Sequence, residues 1–181
     1  EIVKRLSSKY EIISDIELSY RLFPDAKIIS ITGTNGKTST TSMVTHILNE
    51  SGIKAISVGN IGEGILWQMA TNKDAVFVCE LSSFQLHDVK NYKPKIATIT
   101  NISEDHIDWH GTFDDYINSK INISKNQDED DYLIINHEDK ILQEHRASYK
   151  AKIYEFSSKN EVERGIFLKD STVYLKDEKI E

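Results

Sequence analysis

A chain of 181 residues, 39% hydrophobic and 28% charged, has the proportions of one globular domain with a proper core, and these argue against disorder. Its formal net charge of -7, with no cluster of Lys and Arg, speaks against a nucleic-acid partner. The single Cys79 excludes an intrachain disulfide and a cysteine metal cage, and no apolar run reaches the length of a membrane span.

The elements follow in chain order. Ser14-Asp15-Ile16-Glu17 predicts a capping box opening a short helix that ends before Pro24. Lys27 to Thr32 is a short β-rich run, followed by the glycine loop Gly33 to Thr38. A helix then carries Met43, Val44, Ile47 and Leu48 at helical spacing, with Gly52 where its C-terminal cap belongs. Ala55 to Val58 reads as the next strand and leads into Gly59-Asn60-Ile61-Gly62; a helix covers Ile65 to Ala70. Ala75 to Cys79 is continuously apolar, as a strand covered on both faces requires. The alternation continues through strand Ile96–Thr100, a helix from Phe113 to about Lys125, strand Tyr132–Ile135 and a helix near Lys140. Lys152–Phe156, Gly165–Lys169 and Thr172–Leu175 are short strands, the last two joined across Asp170-Ser171. The expected fold class is α/β: a mainly parallel sheet of the phosphate-loop type, flanked by helices on both sides, with a small antiparallel element at the C-terminus.

Four features carry chemistry. Glycines between a strand and a helix let backbone N–H groups close around phosphate oxygens, and the helix N-terminus favours their charge. In Gly33-Thr34-Asn35-Gly36-Lys37-Thr38, Lys37 would then reach the outer phosphates and the Thr38 hydroxyl would meet Mg²⁺; the bland alternative is a turn with a solvated lysine. The loop is shorter than usual, because Ile31 stands where a first glycine would fall. Glu80, at the end of an apolar strand, is either an oxygen ligand for a nucleotide-site cation or a solvated strand end. Glu104, Asp105, His106 and Asp108 share one loop past a strand end, where they bind metal, position a substrate or simply open a helix. His46, His87, His110, His137 and His145 read as ordinary histidines, and no Ser-His or Cys-His nucleophile pair is evident. Lys120 lies seven, four and three residues past Phe113, Tyr116 and Ile117, on the apolar stripe of its own helix, so it must snorkel, pair or be modified.

In this order and spacing the four features resemble the central domain of the Mur ligases of peptidoglycan synthesis. Gly33 to Thr38 looks like the family's shortened phosphate loop, which accounts for the missing first glycine. Gly59-Asn60-Ile61-Gly62 with Glu80-Leu81-Ser82-Ser83-Phe84-Gln85-Leu86 is similar to the branch that adds D-glutamate; the branch adding the third residue usually has His where this chain has Phe84. The resemblance implies ATP and two Mg²⁺ sites as cofactors. It places Gly33, Thr34, Asn35, Gly36, Lys37, Thr38 and Ser39 around the nucleotide, joined by Asn136 and Asp139. Thr38 and Glu80 would hold one Mg²⁺, and His106 the other with Lys120, which in the family reacts with CO₂ to form a carbamate. Catalytic roles would fall to Lys37, Glu80, His106 and Lys120, while Asn60, Ser82 and Gln85 would lie near the UDP-sugar. The implied substrates are UDP-N-acetylmuramoyl-L-alanine and D-glutamate, joined through an acyl phosphate by a cytoplasmic monomer without nucleic-acid or membrane partners. Trp109 departs from the Arg that many relatives carry after His-x-Asp.

Residues 1–24 would be the remnant of an N-terminal UDP-binding domain with its connecting helix, and 25–181 the central ATP-binding domain, incomplete at its C-terminus. The chain begins with Glu1 rather than Met, and the family's His-Asn-x-x-Asn helix and amino-acid-binding domain would follow Glu181. Two further expectations compete: a folylpolyglutamate synthase-like or other Mur ligase, against which the Phe84 context speaks, and a nucleotide-binding fragment inactive by itself. A phosphate-loop kinase would need an Arg-rich lid, which is missing.

Overall fold

A computed structural model describes Leu6 and residues 8–176. Helix α1 spans Asp15–Leu22, and the Ser14 hydroxyl accepts the Glu17 N–H as the sequence predicts. The reciprocal half of the capping box does not form. The Glu17 side chain instead turns away, fully buried, to accept the backbone N–H groups of Lys90, Asn91 and Tyr92 and the Arg21 Nε. Burial would push its carboxyl up, but the Lys90 N–H, Arg21 and the other two amides overcome that and hold it below the ordinary glutamate range.

Strand and helix alternate as expected, with α4 as an additional helix and α6 ending in a 3-10 turn, Asn122–Ser124, before Lys125: β1 Lys27–Thr32, α2 Lys37–Glu50, β2 Ala55–Gly59, α3 Ile65–Thr71, β3 Val76–Glu80, α4 Ser83–His87, β4 Ile96–Ile99, α5 Ile107–His110, α6 Phe113–Ile121, β5 Tyr132–Asn136, α7 Lys140–Glu144, β6 Lys152–Ser157, β7 Gly165–Lys169 and β8 Thr172–Lys176. Among the described residues the strands form one sheet in the order β2-β3-β1-β4-β5-β6-β7-β8. Every pairing is parallel up to β7, and only β7–β8 is antiparallel. The antiparallel element is therefore smaller than expected. Lys152–Phe156 continues the parallel sheet, and the hairpin alone turns back, across Asp170 and Ser171 at φ 48° and 60°, the left-handed pair that a tight two-residue hairpin requires.

The two faces of the sheet differ. On one, Ile28, Phe77, Cys79, Ala97, Ile99, Leu133 and Ile135 form a continuous core with residues of α1, α3, α4, α6 and α7, such as Ile16, Met69, Leu86, Tyr116 and Leu142. Each such fully buried aliphatic side chain stabilises the fold by about 1.5–3 kcal/mol. On the other face, among the described residues, only α2 packs, setting Val44 and Leu48 against Ile29, Ile31, Ala55 and Val78. The expected apolar stripe of α2 is thus half used, and Met43 and Ile47 are 57% and 61% exposed. Beyond α2 that face carries Ile96, Tyr132, Ile134, Tyr154, Phe156 and Ile166 around an open cavity of about 430 Å³. Among the described residues, helices on both sides hold only for the β1–β3 end. No described helix is long and apolar enough to cross a membrane.

Candidate active site

The phosphate loop sits where a parallel sheet offers its strand ends, between β1 and α2. Two glycines are obligatory. At Gly33, φ is 147° and a Cβ would lie 1.9 Å from the Thr100 hydroxyl; Gly36 caps α2 at φ 82°. The end of β4 holds the loop: Thr34 N–H donates to the Asn101 carbonyl at 2.9 Å and Asn35 N–H to the Asn101 side chain at 3.0 Å. The Thr100 hydroxyl and the Asn101 amide donate back to the Asn35 carbonyl at 2.7 and 2.9 Å.

Two lysines converge on this loop. Lys37 Nζ is folded back onto the Gly33 and Thr34 carbonyls, both at 2.9 Å. Lys120 does not snorkel. It is 2% exposed, donates to the same Gly33 carbonyl at 2.7 Å, and lies 4.7 Å from the centre of the Tyr116 ring. Burial, then the neighbouring Lys37 charge, push its ammonium down to about 7, against a smaller opposing pull from Asp105. A free amine is therefore well populated at neutral pH.

Glu80 is not a solvated strand end, being 1% exposed. Its Oε1 accepts from the Asn60 side chain at 2.9 Å, while Oε2 is buried without a partner among the described residues. A buried carboxylate oxygen left unsatisfied at the end of a strand beside a phosphate loop fits a cation ligand, because nothing else offsets its desolvation. Thr38 lies exposed in the first turn of α2. His106 caps α5 in the left-handed region at φ 52°, a costly conformation for a non-glycine residue, with its ring against Phe84. Among the described residues no three His, Cys, Asp or Glu side chains form a metal cage. The acidic loop around His106 therefore provides no complete protein site, and a cation here needs phosphate or water oxygens as well.

The Mur ligase middle domain family matches residues 31–180 of the chain. The chain belongs to that family. It is 40% identical over 182 residues to a UDP-N-acetylmuramoylalanine–D-glutamate ligase of Caldanaerobacter subterraneus subsp. tengcongensis, covering 99% of this chain and 40% of that protein. To the enzyme of the same name from Streptococcus uberis it is 42% identical over 180 residues, covering 99% and 39%. The chain thus spans about 40% of the length of the curated relatives it matches. In solved structures the fold is similar to MurF ligase from Thermotoga maritima in complex with ADP, at TM-score 0.65 and 16% identity over 87% of this chain and 39% of that one. It is also similar to E. coli FolC in complex with DHPP and ADP, at TM-score 0.60 and 16% identity over 90% and 50%.

Several residues expected at the site of a Mur ligase are engaged within the protein. Asn60 orients Glu80. Ser82 and Gln85 form a complete capping box on α4, and the Gln85 amide reaches Asp15 of α1 at 3.3 Å. The Asn136 side chain accepts the Glu138 N–H at 3.0 Å. Asp139 caps α7 with one oxygen, through the N–H groups of Ile141 and Leu142, and accepts the Ile102 N–H at 2.7 Å with the other. Gly33 to Ser39, Glu80, His106 and Lys120 are gathered around one corner of the sheet, whereas Asn136 and Asp139 stand one strand further along, at the end of β5.

Sequence reasoning missed two contacts. The Tyr116 hydroxyl lies 2.9 Å from the Thr34 hydroxyl, which also receives the Ser103 N–H at 3.0 Å, so an apolar-stripe residue fastens the phosphate loop. His110, read as ordinary, has a fully buried side chain with Nδ1 2.7 Å from Asp115 and Nε2 3.0 Å from the Ser83 hydroxyl. Ser83 and His110 are thus hydrogen-bonded partners, though both are buried. The spacing of His110 and Asp115 across the turn into α6 was the available signal.

Proposed function

We propose that the chain is the ATP-binding core of a ligase that adds D-glutamate to UDP-N-acetylmuramoyl-L-alanine. The carrying observation is the buried Lys120, which donates to the phosphate loop itself. A nucleotide site that merely bound phosphate would gain nothing from a second, desolvated lysine at that carbonyl. The relatives near 40% identity bear the name of this ligase, and the ADP in the MurF and FolC structures supports ATP as the nucleotide.

In this reading Lys37 leaves the Gly33 and Thr34 carbonyls for the ATP phosphates, which the N–H groups between Gly33 and Ser39 surround. Thr38 and Glu80 would hold one Mg²⁺, and His106 with Lys120, once carbamylated, would hold the second. Cations held there would supply neutralisation of phosphate charge while the γ-phosphoryl passes from ATP to the alanyl carboxylate and ADP leaves. The Lys120 amine, free in part at neutral pH, is the form that adds CO₂. The acyl phosphate is attacked by the amine of D-glutamate, and phosphate leaves to give the amide. Asn136 and Asp139 serve the nucleotide, and Asn60, Ser82 and Gln85 the sugar-nucleotide side. Residues 1–24 are the remnant of a UDP-binding unit and its connecting helix, α1, which packs on the central sheet, and the enzyme acts as a cytoplasmic monomer.

The test uses the whole reading frame that encodes this chain. ADP release should require UDP-N-acetylmuramoyl-L-alanine and D-glutamate together. Coupling of L-lysine, diaminopimelate or a folate in place of these substrates would overturn the assignment. Because 181 residues cover about 40% of the relatives, a second reading applies to the isolated chain: weak binding of Mg-nucleotide and no amide product. Amide formation by the isolated chain would refute that one.

A further inference from the structure

The hydrogen-bonded series Asp115–His110–Ser83 has the order of a nucleophile triad, but its burial excludes that role. Ser83 is 1% exposed and the His110 side chain is fully buried against the first turn of α4, so neither faces an open cleft. Its chemistry is directional instead. The Asp115 carboxylate can only accept, so at Nδ1 the imidazole must donate; in the neutral ring, Nε2 is then an acceptor and the Ser83 hydroxyl donates to it. Asp115 itself is fixed by the Thr112 hydroxyl, which accepts its N–H at 3.1 Å, and its carboxylate is shared with His87 Nε2 at 3.8 Å.

The ring is equally constrained by packing. Phe84 stacks on it with ring centres 5.7 Å apart and 9° between planes, and Trp109 and Tyr116 meet it edge-on at 4.5 and 5.3 Å. Ser83 and Phe84 are the first two residues of α4, and Ser82 and Gln85 on either side of them form its capping box. Tyr116 in turn fastens Thr34 of the phosphate loop. One imidazole therefore joins the start of α4 to the helix that carries Lys120 and to the aromatic contacts of His106.

We propose that His110, held in one tautomer by Asp115, is a positioning residue that pins the first turn of α4 through Ser83 and so fixes where Ser82 and Gln85 stand relative to the phosphate loop. The kinetic part of this inference rests on the ligase reading; the structural part does not.

Two variants separate the hydrogen bond from the packing, since each removes the ring. In His110→Gln the side-chain amide reaches the position of Nε2 and can still accept from Ser83, whereas in His110→Asn it reaches only that of Nδ1. In the whole reading frame, hydrogen exchange of the α4 amides should be about five- to tenfold faster in His110→Asn and close to wild type in His110→Gln. KM for UDP-N-acetylmuramoyl-L-alanine should follow the same order, with kcat and KM for ATP within about twofold of wild type. Equal exchange in the two variants overturns the proposal. Should either fail to fold, selective ¹⁵N labelling of the wild-type histidines decides: a proton on Nδ1 of His110 supports the tautomer, and a proton on Nε2 refutes it. Ser83→Ala, which removes only the hydroxyl, should reproduce the faster α4 exchange; unchanged exchange there also refutes it. A wild-type enzyme that does not couple D-glutamate would sink the ligase reading and leave the exchange result standing or falling by itself.

Discussion

The β1–β3 end of the sheet and the β5–β8 end are made of similar apolar strands but live in different surroundings. At the first, helices cover both faces, and the phosphate loop, Glu80 and Lys120 are gathered at one corner. At the second, one face is packed and the other leaves Tyr132, Ile134, Tyr154 and Ile166 around an open cavity. The phosphate loop at the covered end is held by Thr34, Asn35, Thr100 and Asn101 together, so a substitution there has many contacts to lose. At the open end the sequence has more freedom on one face than on the other.

That contrast can be broken experimentally. Gly33→Ala should have the largest effect: the new Cβ meets Thr100 at 1.9 Å in a backbone that alanine resists, and stability should fall by about 4 kcal/mol or more in urea titrations, with loss of nucleotide binding. Next comes a pair of neighbours on opposite faces of β5. Leu133→Ala, at a fully buried position, should cost about 3 kcal/mol, and Ile134→Ala, beside the open cavity, about 1 kcal/mol or less. Equal losses at the two would show that the open face is packed after all.

Lys120 gives the contrast a pH signature. Its ammonium is depressed to about 7, so between there and the unfolded value near 10.5 the unfolded chain binds the extra proton. Stability should therefore rise with pH across that window, by about 1.4 kcal/mol per pH unit from this group. Lys120→Met should flatten that slope in denaturation midpoints taken from pH 7 to 10. Among the site residues the smallest effect belongs to Tyr116→Phe, which removes only the hydroxyl on Thr34: about 1 kcal/mol of stability and a few-fold in nucleotide affinity by calorimetry.

What was legible in the sequence was what repeats or punctuates. Strand and helix alternation gave the parallel sheet, Ser14 and Gly52 marked helix ends, and the inward register of Lys120 followed from counting three and four residues back. What was not legible depends on chain segments meeting from afar. Glu17 looked like half of a local capping box, but three N–H groups more than seventy residues away outcompete the single amide beside it. The parallel register of β6 is set by its neighbours β5 and β7, and short apolar strands do not announce direction. At the candidate site, Asn60, Ser82, Gln85 and Asp139 were legible as residues but not as partners of Glu80, of one another, of Asp15 and of Ile102.

Asp139 has a reach beyond its own helix. One of its oxygens starts α7 and the other grips Ile102, at the root of the segment that leads to His106. Two stretches of chain far apart in sequence thus hang from one rivet. A change that loosens it will register at both, so these two stretches cannot be retuned independently while Asp139 stays. Variation at this position should travel with compensating variation in the other stretch.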